Sequence, residues 1–109
     1  MSQTLEHVSS RELEDLARFF WVFSDPTRLR IIILLLSTEQ DSCCVNKIAK
    51  TLDMNQPAVS QHLRILKNAH LVKVERERQF YRYSINDEHV KDILTVGMNH
   101  IFENKGDIK

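Results

Sequence analysis

Glycine, proline and cysteine are scarce in this sequence, with only two of each among its 109 residues. The two cysteines, Cys43 and Cys44, are adjacent, which excludes a disulfide framework and favours a reducing compartment. The sequence has no Gly-rich phosphate loop, no HExxH motif, and no Ser–His or Cys–His pair at a recognisable spacing. We therefore expect no enzymatic activity and no small-molecule substrate.

Long apolar runs are also missing. The longest, Ile31 to Leu36, is far too short to cross a bilayer. The first ten residues, MSQTLEHVSS, have neither the basic start nor the apolar stretch of a signal peptide. Without repeats or linkers, the chain is predicted to be a single domain, residues 1–109, that is cytoplasmic and has no membrane partner.

The net charge is zero, from 15 basic and 15 acidic residues, so composition alone indicates no attraction to nucleic acid. The distribution is uneven, however. Between residues 61 and 82, six Lys/Arg outnumber two Glu, a local charge of +4. Residues 86–109 have three Lys against five Asp/Glu, a local charge of −2. A basic middle segment and an acidic C-terminal segment are thus hidden by the neutral total.

Hydrophobic spacing and capping residues predict five helices and one hairpin. Ser9 and Glu12 have the spacing of a capping box, which starts a helix over about residues 9–24. Asp25-Pro26 starts a buried helix that continues to Ser37. Helices on either side of a break at residues 53–55 form a helix-turn-helix over about 45–69. A hairpin over about 71–85 precedes a last helix, about 86–105, that ends before Gly106 and is expected to bury Val90, Ile93, Leu94, Gly97 and Ile101.

This order of elements is that of a winged helix-turn-helix, a mainly α (α+β) fold with a two-stranded β-hairpin wing. The first helix is apolar on more than one face, and a domain of this size offers few surfaces to cover it. We therefore expect a homodimer formed through the N- and C-terminal helices. The hairpin turn falls between Arg76 and Gln79 and contains no glycine, which argues against a tight primed turn.

The second helix of a helix-turn-helix enters the major groove and presents polar side chains to base edges. Glutamine pairs with adenine, arginine with guanine or phosphate, and serine with either. An ordinary solvated helix face has a similar composition, but arginines at the tip of the neighbouring hairpin favour a DNA-binding surface. If Val59, Leu63 and Leu66 face the core together with His62, the expected contacts with double-stranded operator DNA are Gln56, Ser60, Gln61, Arg64, Arg76 and Arg78.

Three segments, FSDPTRLRIIILLL, NQPAVSQHLRILKNAHLV and FYRYSINDEHV, resemble the ArsR/SmtB family of metal-sensing repressors. The resemblance extends over about residues 12–104. It implies a dimeric winged helix-turn-helix protein that blocks a promoter until an inducer binds. The family usually has glycine at the hairpin tip, where this chain has Arg78, so the conformation of the wing stays open.

Two pairs of potential metal ligands lie at opposite ends of the last predicted helix. His89 and His100 are eleven residues apart, so they share one face but are separated by roughly 16 Å along the helix axis. Zinc ligands lie about 2 Å from the metal, so one helix cannot bring both imidazoles to one ion. If two copies of the helix pack antiparallel, Asp87 and His89 of one chain face His100 and Glu103 of the other. Twofold symmetry then creates two equivalent sites.

Two histidines and two carboxylates form a ligand set suited to Zn²⁺, with Co²⁺ as a surrogate. The zinc sensors that resemble SmtB have the same D-x-H and H-x-x-E spacing on this helix, so the resemblance implies zinc. The metal-free dimer is expected to bind operator DNA, and zinc is expected to lower that affinity and derepress metal efflux or sequestration genes. The resemblance also implies an allosteric relay, in which His100 donates to the backbone near His70 or Leu71.

Cys43 and Cys44 are the competing, secondary thiol site. In family members that sense arsenite, cadmium or lead, cysteines at the start of the corresponding short helix bind metal. Here Asn46 replaces the second thiol, and neighbouring residues on a helix point about 100° apart, which is poor for chelation. The alternative function is a repressor of the same fold that senses arsenic, cadmium or oxidant through these thiols.

Overall fold

The computed structural model describes residues 5–37 and 42–105, and only the backbone of Ser42 and Cys43. A 3-10 turn, Leu5–His7, precedes two helices, α1 (Ser10–Phe23) and α2 (Pro26–Ser37). Strand β1 (Ser42–Cys44) leads into α3 (Val45–Leu52) and α4 (Gln56–Asn68). Strands β2 (Val72–Glu77) and β3 (Phe80–Ile85) form the hairpin, and α5 (Glu88–Glu103) completes the domain. The predicted stop signal, Gly106, lies outside the described residues.

Polar side chains start α1 and α2 as the sequence predicts. The backbone N–H of Glu12 donates to Ser9 Oγ over 3.1 Å, and the Ser9 N–H donates to Glu12 Oε1 over 2.9 Å. This donation, together with the Ser9 hydroxyl, lowers the pKa of the Glu12 carboxyl. Asp25 accepts from the backbone N–H of Arg28 over 2.9 Å, which caps α2. Both caps are therefore confirmed.

The hydrophobic core lies between α2, α3, α4 and the start of α5. Val59, Leu63 and Leu66 of α4 are fully buried, which confirms the predicted inward face of this helix. The other fully buried side chains are Ile31, Ile32 and Leu35 of α2, Ile48 of α3, Leu71 after α4 and Val90 of α5. No helix among the described residues is long and apolar enough to span a membrane.

The hairpin is part of a three-stranded antiparallel sheet with the order β1-β3-β2, so the predicted two-stranded wing has an additional strand. In β1, Cys43 lies opposite Tyr83 and Cys44 opposite Arg82. The helix geometry used above to judge chelation by the two cysteines therefore does not apply, because both lie in a strand. Cys44 has an extended backbone, with φ −90° and ψ 162°, and is the N-cap of α3. A three-residue strand exists only through its pairing with β3, a long-range contact that local sequence does not reveal.

The hairpin turn is tight, which corrects the expectation drawn from its lack of glycine. Glu77 pairs with Phe80, so Arg78 and Gln79 are the two central residues of the turn. Arg78 has φ 61°, whereas Gln79 has no positive φ, which is the pattern of a type II′ turn. A side chain in this region costs about 1–2 kcal/mol. The turn still forms because its twist matches that of the strands.

The second half of α5 is exposed in a single chain. Val90 is buried as expected, and Ile93 and Leu94 are half-buried. Gly97 and Ile101 are not buried: a Cβ added at Gly97 would meet no atom within 4 Å, and Ile101 is 47% exposed. The expectation of burial is wrong for one chain because the domain's own core ends before this part of the helix.

A buried arginine holds the corner between α1 and α2. Arg28 is only 6% exposed, and its Nε donates to the Val22 carbonyl over 2.8 Å. One terminal nitrogen donates to the Trp21 carbonyl over 3.4 Å, and the guanidinium lies 4.8 Å from the centre of the Trp21 ring. Arg28 thus donates to two carbonyl groups at the C-terminal end of α1, and the Trp21 carbonyl also accepts from the Ser24 N–H over 3.0 Å.

Candidate functional site

The outward face of α4 carries the predicted base-reading residues. Asn55 caps this helix by accepting from the Ala58 N–H over 2.8 Å, and Pro57 lies in its first turn. The sequence analysis treated Asn55 only as part of a break, although asparagine shortly before proline is a typical helix start. The structure places four side chains together on the exposed side, opposite the buried stripe: Gln56, Ser60, Gln61 and Arg64.

The turn between α3 and α4 sets the angle between these two helices. It contains no glycine, although one of its residues has a positive φ. Asp53 has φ 55° and ψ 52°, and its N–H donates to the Lys50 carbonyl over 3.3 Å. The next N–H, from Met54, donates to the Ala49 carbonyl over 2.8 Å. Aspartate tolerates this left-handed conformation better than most residues, so α3 can end sharply and α4 can begin three residues later.

His62 lies on the inward side of α4 and is half-buried. Its Nδ1 atom is buried and has no hydrogen-bond partner within the described ranges, 5–37 and 42–105. The pKa of Asp25 is lowered mainly by the Arg28 N–H that donates to it, and the charges of Arg28 and His62 contribute further. His62 is therefore a packing residue near the cap of α2 and does not belong to the outward surface of α4.

The wing carries its charges on two faces and at its tip. Lys73, Glu75 and Glu77 share one face of β2, where Glu77 pairs with Arg82 over 3.3 Å. The opposite face has Arg76, and the tip has Arg78, both exposed. Because acidic and basic groups balance on the first face, the tip is the most basic part of the wing that DNA could approach.

The junction between α4 and the wing contains His70 and Leu71, the predicted relay residues. His70 has φ 61°, its N–H donates to the Lys67 carbonyl over 3.0 Å, and the Leu71 N–H donates to the Leu66 carbonyl over 3.0 Å. These bonds form a left-handed C-cap for α4. The Leu71 carbonyl accepts from the Asn86 N–H over 3.0 Å, so the junction is tied to the residue before Asp87. This link could not be predicted from the sequence, because a hydrogen bond between two backbone groups does not depend on residue type.

Asp87 and His89 lie together at the start of α5. Asp87 Oδ1 caps the helix by accepting from the His89 N–H over 2.9 Å, and it lies 3.3 Å from His89 Nδ1. In a tetrahedral zinc site with bonds of about 2.0 Å, neighbouring donor atoms are about 3.3 Å apart. The imidazole of His89 is 86% exposed, so a metal can reach it. The separation of these two atoms is that of a contact between a carboxylate and an imidazole, and it equals the separation of two ligands of one zinc ion.

His100 and Glu103 lie at the other end of α5, three residues apart and both exposed. This spacing places them on one side of the helix. No group of three or more His, Cys, Asp or Glu side chains that could hold a metal occurs within one chain, over the residues described. One chain brings together Asp87 with His89 but does not join them to His100 and Glu103.

Cys44 is half-buried, and its side chain makes no capping hydrogen bond to α3. Cys43 is the only other cysteine in the sequence, and its backbone, in β1, pairs with Tyr83.

Large apolar side chains remain exposed on α1 and α5, the two terminal helices of the domain. Trp21 is 56% exposed and Val96 is 68% exposed. Large apolar side chains exposed in this number on two helices favour a protein interface. The other large apolar side chains exposed on these helices are Leu13, Leu16, Phe20, Met98, Ile101 and Phe102.

Comparison with known proteins agrees with this geometry. Residues 25–74 match the family model described as "Bacterial regulatory protein, arsR family". An HTH-type transcriptional regulator of Methanocaldococcus jannaschii is 46% identical over 81 residues, which cover 74% of this chain and 89% of that protein. The chain belongs to the ArsR/SmtB family. It is accordingly a transcriptional repressor, and its relatives are regulators with a DNA-binding winged helix-turn-helix fold rather than enzymes.

Other ArsR/SmtB relatives carry names that refer to metals or to metal-sensing repressors. A "Transcriptional repressor SmtB homolog" of Synechocystis is 34% identical, covering 90% of this chain and 72% of that protein. A homolog of the cadmium resistance regulatory protein CadC from Staphylococcus aureus is also 34% identical, covering 79% and 69%. The solution structure of a homodimeric winged helix-turn-helix domain from Mycobacterium bovis, a possible ArsR-family regulator, has a TM-score of 0.75 at 26% identity, covering 95% and 92%.

Proposed function

We propose that this ArsR/SmtB repressor is a cytoplasmic zinc sensor whose metal-free homodimer binds operator DNA. Zinc binding between the two C-terminal helices would lower the DNA affinity and derepress genes for metal efflux or sequestration. The observation that carries this proposal is the pair Asp87 and His89, whose donor atoms lie 3.3 Å apart at the exposed start of α5. His100 and Glu103 would complete each site from the other chain.

A dimer through α1 and α5 is supported by the apolar side chains that these helices leave exposed. Burying them in a second copy would remove apolar surface from water at roughly 25 cal/mol per Å². An antiparallel arrangement of the two α5 helices would also place the Asp87 end of one helix beside the His100 end of the other. The same contact would therefore stabilise the dimer and build two equivalent metal sites.

DNA binding would use the outward face of α4 for base edges and the wing for the phosphate backbone. Gln56, Ser60, Gln61 and Arg64 supply donors and acceptors of the kinds that read the major groove. Arg78 would meet phosphate at the wing tip, since basic residues outside the groove position a protein without reading sequence. A twofold dimer would present two such surfaces and would fit a palindromic operator.

The junction at His70 and Leu71 is the proposed link between the metal site and DNA. When bound, zinc supplies a positive charge that fixes the orientation of its histidine ligands and strengthens their free N–H as a donor. The second ring nitrogen of His100 would donate to the backbone near His70 or Leu71. Leu71 accepts one bond from Asn86, and a carbonyl oxygen has a second lone pair.

The hydrogen bond from the Asn86 N–H to the Leu71 carbonyl would also connect Asp87 and His89 to this junction. Asn86 directly precedes Asp87, so a change in the orientation of Asp87 and His89 would act on Leu71 through one backbone hydrogen bond. A hundredfold loss of DNA affinity requires a coupling of about 2.7 kcal/mol. Charge-assisted hydrogen bonds of about 1.5–3 kcal/mol, one per subunit, are of sufficient size.

Cobalt substitution tests the ligand set independently of DNA. We expect two Co²⁺ ions per dimer and the spectrum of a tetrahedral site with nitrogen and oxygen ligands. His89→Ala and His100→Ala should each abolish this spectrum, whereas the control His7→Ala, outside the proposed site, should leave it unchanged. An intense sulfur-to-metal band that disappears in Cys44→Ser would contradict the proposal.

The same experiment decides the alternative function, a repressor that senses arsenic, cadmium or oxidant through Cys43 and Cys44. The observation in its favour is that Cys44 lies at the N-terminal end of α3, where its side chain makes no capping bond. The resemblance to a cadmium resistance regulator is consistent with it. The absence of a third cysteine in the sequence weighs against a thiolate site for a soft metal within one chain.

A further inference from the structure

The wing tip adopts a conformation that its sequence does not favour by itself. Arg78 has φ 61° at the first central position of a two-residue turn. Glycine is preferred there because a Cβ atom crowds the backbone in this conformation. A turn with arginine at this position would sample other conformations unless a neighbouring group held it.

Arg76 supplies that group. Its Nε donates to the carbonyl oxygen of Arg78 over 3.2 Å, so the side chain reaches from β2 to the backbone of the turn. Arg76 lies opposite Tyr81, and its guanidinium carbon is 6.0 Å from the centre of the Tyr81 ring. The Arg76 side chain thus contacts Tyr81 on β3 and donates to the turn, and these two contacts hold Arg78 in its strained conformation; this support is called the brace below.

The guanidinium of Arg78 is differently placed. No acidic side chain pairs with it in the part of the chain that the structure describes, whereas Glu77 pairs with Arg82 on the adjoining face. Arg78 is exposed at the end of the hairpin, farther from the core than Arg76. Of the two arginines, Arg78 has its charge available for a partner, and Arg76 has its Nε engaged within the wing.

We infer that Arg76 is a positioning residue that holds the wing-tip turn so that Arg78 meets the DNA backbone. The inference rests on the proposed contact of the wing with phosphate, and it divides two roles that the sequence assigned equally to both arginines. Holding the turn before binding reduces the conformational freedom that Arg78 would lose on the DNA, which increases affinity without a further contact.

The brace can be measured in the free protein. We expect a scalar coupling across the hydrogen bond between Arg76 Nε and the carbonyl carbon of Arg78 in isotope-labelled wild-type protein. Arg76→Lys keeps the charge but lacks the Nε donor, so the signals of residues 77–80 should broaden or shift. Absence of the coupling in wild type, together with unchanged wing signals in Arg76→Lys, would overturn the inference without any reference to DNA.

Salt dependence of operator binding separates positioning from direct contact. Each phosphate contact contributes about 0.9 to the slope of log K against log[salt]. Because the dimer has two wings, Arg78→Ala should reduce the slope by about 1.8 per dimer. Arg76→Lys should weaken binding roughly three- to tenfold in wild type but have no further effect in Arg78→Ala. The matched control Arg11→Lys, on α1, should bind as wild type.

Three outcomes contradict the inference. If Arg76→Lys binds as wild type, the brace is not needed for the DNA contact. If Arg76→Ala and Arg78→Ala reduce the slope additively, by about 3.6 together for the two wings of the dimer, both arginines contact phosphate. If Arg78→Ala itself binds as wild type, the proposed wing contact is wrong, and the coupling in the free protein still reports whether the brace exists.

Discussion

Replacing the buried Arg28 should destabilise the protein more than any change to an exposed arginine. Its side chain is 6% exposed and donates from Nε to the Val22 carbonyl over 2.8 Å. A hydrogen bond from a charged donor contributes about 1.5–3 kcal/mol, and the contact with the half-exposed Trp21 ring about 0.5–1 kcal/mol. Methionine has a similar length and removes both, but it also relieves the desolvation of a buried charge. We therefore expect Arg28→Met to cost about 2 kcal/mol.

Urea unfolding at a fixed protomer concentration measures this cost, because a dimer's apparent stability depends on concentration. The midpoint should fall while the slope m stays unchanged. The matched control is Arg18→Met on the same helix pair, where the side chain is 68% exposed and pairs with Asp15 over 3.0 Å. Exposed pairs contribute about 0–1 kcal/mol, so this variant should remain close to wild type.

Dimer formation is a second property that the corner between α1 and α2 should affect. Because Arg28 fixes the end of α1, Arg28→Met should also weaken the dimer, as measured by sedimentation at several concentrations. If Arg28→Met unfolds within 0.5 kcal/mol of wild type at the same m, the guanidinium does not hold the corner, and the reasoning from burial and hydrogen bonds is refuted.

Four other changes have defined outcomes. His70→Gly should raise the free energy of unfolding by about 1 kcal/mol by relieving the left-handed residue, whereas His70→Ala should give no gain; equal stabilities would contradict strain there. The Arg28 N–H holds the pKa of Asp25 below its usual value, so the capping carboxylate stabilises the folded protein above that usual value, and this stabilisation is lost as the pH falls through the lower, folded-state pKa. Asp25→Ala should therefore be less stable than wild type at neutral pH but not in strong acid. A difference in stability that persists in acid would exclude the carboxylate as its source. Zinc affinity should fall as the pH is lowered, since protons compete with zinc for the ring nitrogens of His89 and His100, and an affinity independent of pH would exclude them as ligands. Gln61→Ala should reduce discrimination between operator and random DNA by about 1–3 kcal/mol, and equal losses on both would remove Gln61 from base readout.

The elements of the fold follow from local sequence where caps and spacing agree. Ser9 with Glu12, and Asp25 before Pro26, start helices that the structure contains at the predicted positions. The buried stripe of α4 is set by the spacing of Val59, Leu63 and Leu66. These features depend on residues within one or two turns of one another, so a single segment is sufficient to predict them.

Features that depend on distant partners could not be predicted in the same way. Strand β1 requires β3, which lies about forty residues later in the chain. Arg28 looks like a solvent-exposed residue in sequence, yet it is buried because the end of α1 needs donors. The tight turn at Arg78 is allowed by the bond from Arg76, a compensation visible only in three dimensions.

One chain brings together only two of the four candidate metal ligands, and a second chain would add the other two. Spacing alone indicated that Asp87 and His89 belong together, and the structure places their donor atoms 3.3 Å apart. The same spacing showed that His100 and Glu103 need a second chain. The complete four-ligand site remains a prediction, because its geometry depends on how two copies of α5 pack.

The most direct test of the central claim is a titration of the operator-bound dimer with zinc at constant salt and pH. We expect saturating zinc to lower operator affinity about hundredfold in wild type, and operator to weaken zinc binding by the same factor. His89→Ala should bind operator as the metal-free wild type does and should no longer respond, whereas Cys44→Ser should respond normally. An operator affinity that zinc leaves unchanged, or a response lost in Cys44→Ser and kept in His89→Ala, would contradict the account.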